Sequence, residues 1–377
     1  MGIRAGGGNA REAGRVKLAI DCREFHEGRI TGIGRYLGDF ISFASRERRG
    51  WEFVLFGSQH TRVPFRFGEN VKIENIHEVN TQIWDQVLLP AALKRLKCDI
   101  YFSPYNKTCL FSSVPSVIAI HDLTGLIYPG YGRGAFLERQ LARLYAAKAA
   151  AVLTLSGNSK NDIVRLLGVA PEKISVSGAG VDGKRFYRRD DCAFVTRKYG
   201  IGKPYVLYVG NSRPHKNLAG LLGAWSLLDG ELRDRYSLVL AGVGDYRSPR
   251  PGTGVAIGSV PDADLPFLYS GAELLVSPSF YEGFGLPALE AMACGTPVVS
   301  SNTSCLPEVL GDACAYFDPR KPREIAAAVA AVLRDPPLRL ELRKKGLARA
   351  ALYSPEKSAA AIIGVLESVI NSSGGAL

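Results

Sequence analysis

The chain has 377 residues, which favours two domains, and its composition of 46% apolar and 22% charged residues excludes disorder as the main state. The formal net charge of +11 comes entirely from residues 1–200, which hold 30 basic and 19 acidic residues. Residues 201–377 hold 17 of each. A uniformly basic nucleic-acid-binding protein would not show this asymmetry, which instead fits a chain whose two halves meet different partners.

Targeting and cysteine patterns predict a cytoplasmic protein. The longest apolar stretches, such as residues 144–155, are shorter than the ~20 residues of a membrane helix. Residues 1–15 are rich in glycine and lack the apolar core of a signal peptide, so we predict a flexible tail. The seven cysteines form no C-x-x-C pair and favour reduced thiols, and the scattered histidines predict no metal site.

Short apolar runs alternate with helical patterns along the chain. Runs that are apolar on both faces and separated by helices are typical of parallel sheets covered on both sides. The predicted strands are residues 16–20, 53–56, 100–102, 117–120 and 151–155 in a first series, and 205–209, 237–241, 255–257, 273–276 and 298–300 in a second. Such sheets bind ligands beyond the carboxyl ends of their strands, here in the cleft between two domains.

The segment between the two series, residues 181–204, is so polar that we expect it to add little to a core and to contain the interdomain linker. We predict domains over residues 16–185 and 204–354, joined by a linker over 186–203. Residues 355–371 are predicted to form an amphipathic helix, whose apolar positions are Ala360, Ile363, Leu366 and Ile370.

The segment from residue 277 to 297 is the richest in chemical signals. A strand ends near Val276, two glycines follow, and Pro287 stands where the first helical residue belongs. Gly295 and Pro297 then end a short helix over 287–294. A helix N-terminus preceded by glycines predicts an anion site built from backbone N–H groups.

Glu282 and Glu290 flank this predicted anion site. Two carboxylates would repel a phosphate unless each has another task, and the binding of vicinal sugar hydroxyls is such a task. Taken singly, Glu282 is better explained as a turn residue and Glu290 as a helix-surface residue. The combined pattern favours a site for a sugar joined to a phosphate.

A second segment with chemical signals follows the predicted strand 205–209, and it is basic. Arg213, His215 and Lys216 crowd the start of a helix predicted over about 217–228, where the helix dipole disfavours positive charge. A strong anion such as a pyrophosphate leaving group would stabilise this cluster, with Lys216 as a point charge and Arg213 as a fork donor. A solvated basic turn is the alternative.

Two weaker signals lie in the first half. His121 follows strand 117–120 at its carboxyl end, where it would bind a substrate hydroxyl or be an ordinary buried histidine. Gly32 and Gly34 form a glycine loop before a helix, which would bring backbone N–H groups close to a ligand or be a flexible turn.

The run from Glu282 to Glu290 resembles the Glu-x-x-x-x-x-x-x-Glu motif of the retaining group-1 glycosyltransferases, which have the GT-B fold. The resemblance covers nearly the whole chain: Gly32/Gly34, 84–90, His121-Asp122, 156–168, 210–217, 268–278 and 301–308. It implies an α/β protein of two Rossmann-like domains, with parallel sheets facing a deep interdomain cleft. The first domain would bind the acceptor, the second the nucleotide-sugar, and the last helix would cross back to the first.

The resemblance also implies roles for single residues. Glu290 would bind the ribose hydroxyls, Glu282 the transferred sugar, and the N–H groups of Gly285 and Leu286 the sugar or its β-phosphate. The predicted catalytic residues are His121, Arg213, Lys216 and Glu282, and the predicted donor-binding residues are Gly32, Gly34, Asn211, Gly283, Phe284, Gly285, Leu286 and Glu290. Many members carry Arg where this chain has Asn211, so we assign the arginine role to Arg213.

The implied reaction is hexosyl transfer from a nucleotide-sugar to a hydroxyl with retained configuration, without a cofactor or divalent metal. Pro-His-Lys-Asn and Ser-Asn-Thr-Ser resemble bacterial mannosyltransferases of surface-polysaccharide assembly, which implies GDP-mannose and a lipid-linked or oligosaccharide acceptor. A UDP-sugar enzyme with a small soluble acceptor is the alternative, and a nucleic-acid-binding protein or a dehydrogenase ranks far behind. The basic first half predicts either peripheral contact with an anionic membrane, at the inner face of the plasma membrane, or solubility alone.

Overall fold

A computed structural model describes residues 15–27, 31–128, 135–244 and 254–374. The predicted tail, residues 1–15, lies outside these ranges apart from Arg15. Contacts between Cα atoms divide the chain into two units. The first consists of Met1–Ala119, Leu144–Ala151 and Ile363–Leu377, and the second of Ile120–Arg143 and Val152–Ile362.

The first sheet has seven strands in the order β3-β2-β1-β4-β5-β6-β7, and its described pairings are parallel. Its strands are β1 (Lys17–Asp21), β2 (Glu52–Gly57), β3 (Val71–Asn75), β4 (Ile100–Ser103), β5 (Ser116–Ala119), β6 (Ala151–Thr154) and β7 (Ile174–Val176). Leu18 of the interior strand β1 pairs with Phe53 and Ile100 on its two sides. All three side chains are fully buried, as expected for a strand covered on both faces.

Helices and helical turns connect these strands. They are α1 (Gly32–Glu47), α2 (Thr81–Ile83), the π-helical turn Trp84–Leu88, α3 (Leu89–Arg95), α4 (Thr124–Ile127), α5 (Ala135–Lys148), α6 (Gly157–Leu167) and the 3-10 turn Pro171–Lys173. Thr31 caps α1 by accepting a hydrogen bond from the Gly34 N–H. The predicted glycine loop is therefore wrong, because Gly32 is the first residue of α1 and Gly34 belongs to its first turn.

The second sheet has six strands in the order β10-β9-β8-β11-β12-β13. Its strands are β8 (Tyr205–Val209), β9 (Ser237–Ala241), β10 (Val255–Gly258), β11 (Leu274–Ser277), β12 (Val298–Ser301) and β13 (Ala315–Phe317). Tyr205 and Leu207 of β8 join one core cluster, and Val206 and Tyr208 join another. This alternation follows from the period of two along a strand, so apolar cores cover both faces of the sheet.

Helices and a 3-10 turn also lie in the chain after β7. They are α7 (Ala193–Lys198), the 3-10 turn Pro214–Lys216, α8 (Leu218–Leu227), α9 (Gly230–Arg235), α10 (Leu265–Gly271), α11 (Leu286–Ala293), α12 (Leu306–Leu310), α13 (Pro322–Arg334), α14 (Pro336–Ala350) and α15 (Pro355–Gly374). The predicted fold class is confirmed: the chain is an α/β protein with two parallel, Rossmann-like sheets.

All ten predicted strands are present, but three strands were missed. These are β3, β7 and β13, each of which lies at the edge of its sheet. In β3 only Val71 and Glu74 are partly buried, while Lys72, Ile73 and Asn75 are exposed, and β7 and β13 have three residues each. An edge strand has a neighbouring strand on one side only and can carry polar residues. Its sequence therefore need not show the continuous apolar run that identifies an interior strand.

The expectation that residues 181–204 add little to a core is wrong. Val181, Phe186, Val195 and Ile201 are all buried in the cluster that also holds Tyr269. These apolar residues are separated by charged ones, so the segment's overall polarity conceals them. The predicted domain boundaries remain predictions.

The predicted C-terminal helix is confirmed as α15. Ile363 and Leu366 are buried as expected, whereas Ala360 is exposed and its neighbour Ala359 is buried. From Ile363 onward the helix belongs to the first unit. There the Glu367 carboxylate accepts a 2.7 Å hydrogen bond from Arg48 Nε, and both side chains are about one third exposed.

A buried ion cluster holds together the segments that follow β1, β3 and β4. Arg23 donates to Asp21 Oδ2 at 2.6 Å and to Asp85 Oδ1 at 2.5 Å, and its guanidinium lies 3.6 Å above the Trp84 ring. Lys107 Nζ donates to the other Asp85 oxygen at 2.8 Å. Because Asp21 is fully buried, its charge depends on the pairing with Arg23.

We expect Arg23→Ala to lower the free energy of unfolding by about 3–5 kcal/mol, because the buried Asp21 carboxylate loses its partner. Urea unfolding followed by circular dichroism measures the change. Arg48→Ala is the matched control, since its pair with Glu367, which is more than one third exposed, is worth about 0–1 kcal/mol. Equal losses for the two variants would contradict a stabilising role for the cluster.

Candidate active site

The segment that joins β11 to α11, residues 278–285, is called here the Glu282 loop. It ends at Gly285, whose φ of +90° favours glycine and where a Cβ would lie 2.7 Å from Leu306 Cδ2. α11 begins at Leu286 with Pro287 in its first turn, one residue earlier than predicted. The first N–H groups of a helix have no acceptor within it, so this end of α11 suits an anion.

Gly283 lets the Glu282 loop approach the residues that follow β5. A Cβ on Gly283 would lie 3.0 Å from Asp122 Oδ2 and 3.1 Å from the His121 carbonyl oxygen. Asp122 is itself held in place, since its Oδ1 accepts a 2.8 Å hydrogen bond from the Thr124 N–H. The second unit therefore brings the predicted residue His121 next to the Glu282 loop.

Lys216 and Glu282 form an ion pair at the centre of the site. Lys216 Nζ lies 2.7 Å from Glu282 Oε1 and 2.8 Å from Oε2, so the ammonium bridges both carboxylate oxygens. The two side chains are only 17% and 13% exposed. Ser279 Oγ donates a further 2.6 Å hydrogen bond to Oε1, which compensates part of the desolvation of the carboxylate.

Asn217 fixes the position of Lys216. It takes a left-handed conformation with φ of +53° between the 3-10 turn and α8, a conformation that asparagine tolerates. Its side-chain amide donates to the carbonyl oxygens of Pro278 at 3.0 Å and Pro319 at 2.8 Å. Lys216 therefore lies in a turn tied to the Glu282 loop, not on the helix itself.

The segment from Ser301 to Cys305 holds the Glu282 loop from the other side. Ser304 Oγ accepts from the Glu282 N–H at 3.0 Å and donates to the Glu282 carbonyl at 2.6 Å. Ser301 Oγ donates to the Ser279 carbonyl at 2.6 Å, and Thr303 Oγ1 donates to that of Phe280 at 3.0 Å. These hydroxyls fix the backbone from which the Glu282 side chain projects.

Glu290 lies one turn into α11. It is not the helix-surface residue that the sequence offered as an alternative. The residue is only 5% exposed. Its Oε2 accepts a 2.8 Å hydrogen bond from the hydroxyl of Tyr269, a buried residue of α10. The carboxylate is thus held by a donor from a neighbouring helix.

The basic residues that follow β8 lie in different environments. His215 is buried, and burial lowers its pKa, with a further contribution from Lys216, so the imidazole is neutral at pH 7. Arg213 is exposed, and its backbone N–H donates to the side-chain oxygen Oδ1 of Asn211 at 3.1 Å. Asn211 in turn accepts a hydrogen bond at its carbonyl from Tyr208. Positive charge in this segment therefore comes from Lys216 and Arg213.

Three other predicted residues have distinct surroundings. The Phe284 ring is buried edge-on against Tyr353, with 5.5 Å between ring centroids, so only its backbone can meet a donor. Gly32 and Gly34 lie in the first unit, in the first turn of α1. A Cβ on Gly32 would meet no atom of the described residues within 4 Å, so packing against them does not require glycine there.

A pocket lies at the carboxyl ends of β8 and β11. Its polar lining includes Tyr208, Ser279 and Glu282, and Gly285 and Pro287 border it at the start of α11. Among the described residues, no His, Cys, Asp and Glu side chains form a group of three or more suited to a metal ion. Within the same residues, no helix has the length and apolar character needed to span a membrane.

Sequence reasoning missed the residues that hold the two carboxylates. Ser279, Ser304 and Tyr269 all contact Glu282 or Glu290, but they are neutral and carry no motif of their own. The Ser-Asn-Thr-Ser run was noted only as part of the family resemblance. Its spacing from Glu282 gives no sign that the two segments meet.

The sequence matches two family models that together span most of the chain. Residues 194–349 match "Glycosyl transferases group 1", and residues 30–185 match "Glycosyltransferase Family 4". An O-antigen chain mannosyltransferase B of Escherichia coli is 37% identical over 365 residues, covering 87% of this chain and 93% of that protein.

Solved structures share the fold at low sequence identity. A sucrose-phosphate synthase from Thermosynechococcus elongatus superimposes with a TM-score of 0.75 at 18% identity, covering 95% of this chain and all of that one. Anabaena Alr3699/HepE in complex with UDP-glucose gives 0.71 at 18% identity, covering 93% and 99%. Together with the identity to the mannosyltransferase and the arrangement around Glu282 and Glu290, these likenesses lead to one conclusion. The chain belongs to the group-1 glycosyltransferases and has the GT-B fold.

Proposed function

We propose that this enzyme is a retaining mannosyltransferase of surface-polysaccharide synthesis. It transfers mannose from GDP-mannose to a hydroxyl of a lipid-linked or oligosaccharide acceptor. The single observation that carries the proposal is the Lys216–Glu282 ion pair next to the start of α11, which combines a sugar-binding carboxylate with positive charge for a diphosphate. The choice of mannose is supported by the 37% identity to the O-antigen chain mannosyltransferase.

The ion pair leaves capacity on both partners for the donor. An ammonium has three N–H donors, and Glu282 takes two of them, so the third serves a phosphate oxygen. Glu282 Oε1 already accepts from Lys216 and Ser279, so a sugar hydroxyl is bound by Oε2. The N–H groups at Gly285 and Leu286 add positive potential at the leaving diphosphate.

The proposed reaction is a same-face displacement. The acceptor oxygen forms a bond to the anomeric carbon while the bond from that carbon to the β-phosphate oxygen breaks. The acceptor proton passes to a phosphate oxygen of the departing GDP. Lys216, and Arg213 from its exposed position, stabilise the charge that develops on the diphosphate, and His121 contacts the donor sugar. In this scheme these cations replace a divalent metal ion.

We expect Lys216→Ala and Glu282→Gln each to lower kcat by at least ~10²-fold. Lys216→Ala removes positive charge at the leaving diphosphate, and Glu282→Gln removes the carboxylate that pairs with Lys216 and binds the sugar. Transfer from GDP-mannose, UDP-glucose and other nucleotide-sugars to mannose-terminated oligosaccharides is followed by mass spectrometry. GDP-mannose is expected to be the preferred donor. NMR of the fresh product is expected to show the α-anomeric configuration of the donor.

Lys321→Ala and Glu324→Gln are the matched controls for this experiment. Lys321 and Glu324 form a similar pair at 2.8 Å in the same unit, but both side chains are about half exposed. Activity is expected to be unchanged in these variants and in the presence of EDTA. Full activity of both Lys216→Ala and Glu282→Gln, or no turnover of any nucleotide-sugar, would refute the proposal.

We also propose that the first unit binds an anionic membrane surface at the inner face of the plasma membrane. Ile83 and Val87, four residues apart on one helical stretch, are 49% and 57% exposed, and Phe111 is 82% exposed. The Phe111 loop is tied to the same stretch, since Gln86 Oε1 accepts a 2.8 Å hydrogen bond from the Leu110 N–H. Apolar side chains on a basic half suit a lipid surface.

We expect the protein to sediment with vesicles that contain phosphatidylserine at low salt and to be released at high salt, because screening weakens the attraction. Phe111→Ser and Val87→Ser are expected to weaken sedimentation several-fold. Leu340→Ser, which changes an equally exposed leucine of the second unit, is expected to have no effect. Absence of binding at low salt would disprove membrane contact, and equal effects of all three variants would disprove this surface.

A further inference from the structure

The hydrogen bond between Tyr269 and Glu290 fixes the orientation of the Glu290 carboxylate. Tyr269 is fully buried in α10, and its hydroxyl donates to Glu290 Oε2 at 2.8 Å. This contact joins α10 to α11, so the carboxylate is oriented by a residue outside its own helix. A glutamate has three side-chain dihedral angles, and a fixed donor restricts them before any ligand arrives.

The Tyr269 ring is itself held firmly. Phe186 packs against its edge with 6.1 Å between ring centroids, and Thr296 Oγ1 donates to the Tyr269 carbonyl at 2.5 Å. Phe186 comes from the polar segment 181–204, which gives that segment a part in shaping the site. The Tyr269 hydroxyl therefore acts from a fixed position.

We infer that Tyr269 is a positioning residue that makes the nucleotide site selective for a ribose with both hydroxyl groups. The inference rests on the proposed function, because it needs a nucleotide-sugar donor, and it takes Glu290 as the ribose-binding carboxylate that the family resemblance implies. A carboxylate accepts hydrogen bonds from two vicinal hydroxyls only when they lie near its plane, where its lone pairs point, so an oriented Glu290 favours ribonucleotides over nucleotides that lack these groups. Orientation before binding reduces the entropy lost when the nucleotide binds.

A purely structural role for Tyr269 predicts a different result. If its hydroxyl only satisfies a buried carboxylate, its removal lowers stability and weakens all nucleotides equally. If it orients Glu290 for ribose, its removal weakens only nucleotides that carry the ribose hydroxyls. Comparison of GDP with 2′,3′-dideoxy-GDP separates the two roles.

The test is calorimetric titration of the full chain and of Tyr269→Phe with both nucleotides. The wild type is expected to bind GDP at least tenfold more tightly than 2′,3′-dideoxy-GDP. In Tyr269→Phe the affinity for GDP is expected to fall about tenfold while that for the dideoxy nucleotide stays the same. Equal weakening of both, or an unchanged preference for GDP, would overturn the inference.

Tyr205→Phe is the matched control. Tyr205 is also buried, and its hydroxyl donates at 2.7 Å to the carbonyl of Leu268 in α10, but it touches neither carboxylate. Its removal is expected to lower the melting temperature and to leave the preference for GDP unchanged. If Tyr269→Phe does not fold, Thr296→Val loosens the same tyrosine and is expected to reduce the preference. An unchanged preference in that variant counts against the inference.

The wild-type titration distinguishes failure of the inference from failure of the proposed function. Absence of binding to GDP, UDP and their sugar derivatives contradicts the proposed function. Equal binding of GDP and 2′,3′-dideoxy-GDP by the wild type contradicts only the role given to Glu290 and Tyr269.

Discussion

The ion pair between Lys216 and Glu282 is the interaction on which the candidate site depends. Its side chains are less than one fifth exposed, so desolvation opposes the pair unless further hydrogen bonds support it. Ser279 supports the carboxylate directly, and Asn217 holds the turn that carries Lys216. The pair connects the end of β8 to the end of β11, and the nucleotide-sugar proposal follows from this juxtaposition.

The backbone around the Lys216–Glu282 pair adopts conformations that are rare for most residues. Asn217, Ser304 and Gly285 all have positive φ angles, and they lie where the chain must reverse sharply around Glu282. Each position is stabilised or permitted by its surroundings: Asn217 by its bonds to two carbonyls, Ser304 by its paired bonds with Glu282, and Gly285 by having no side chain. The backbone is thus shaped to orient one carboxylate.

Prediction from sequence succeeded where the signal is local. The central strands were found because they are apolar on both faces, and the start of α11 because Pro287 and the glycines mark it. The edge strands β3, β7 and β13 were missed because their polar or very short sequences resemble loops. Phe186 and Val195 were missed because charged neighbours conceal them. His121 and Lys216 were selected as candidates from their positions after strands.

The sequence by itself determined the two-sheet α/β fold, the family motif, and the chemical types available at the site: two carboxylates, a lysine and a helix start. Only the tertiary structure decided how these groups are paired. It paired Lys216 with Glu282, bonded the Tyr269 hydroxyl to Glu290, and lowered the pKa of His215 by burial. The physical reason is that hydrogen bonds and desolvation depend on distances between segments remote in the chain, whereas strand and helix signals depend on neighbouring residues.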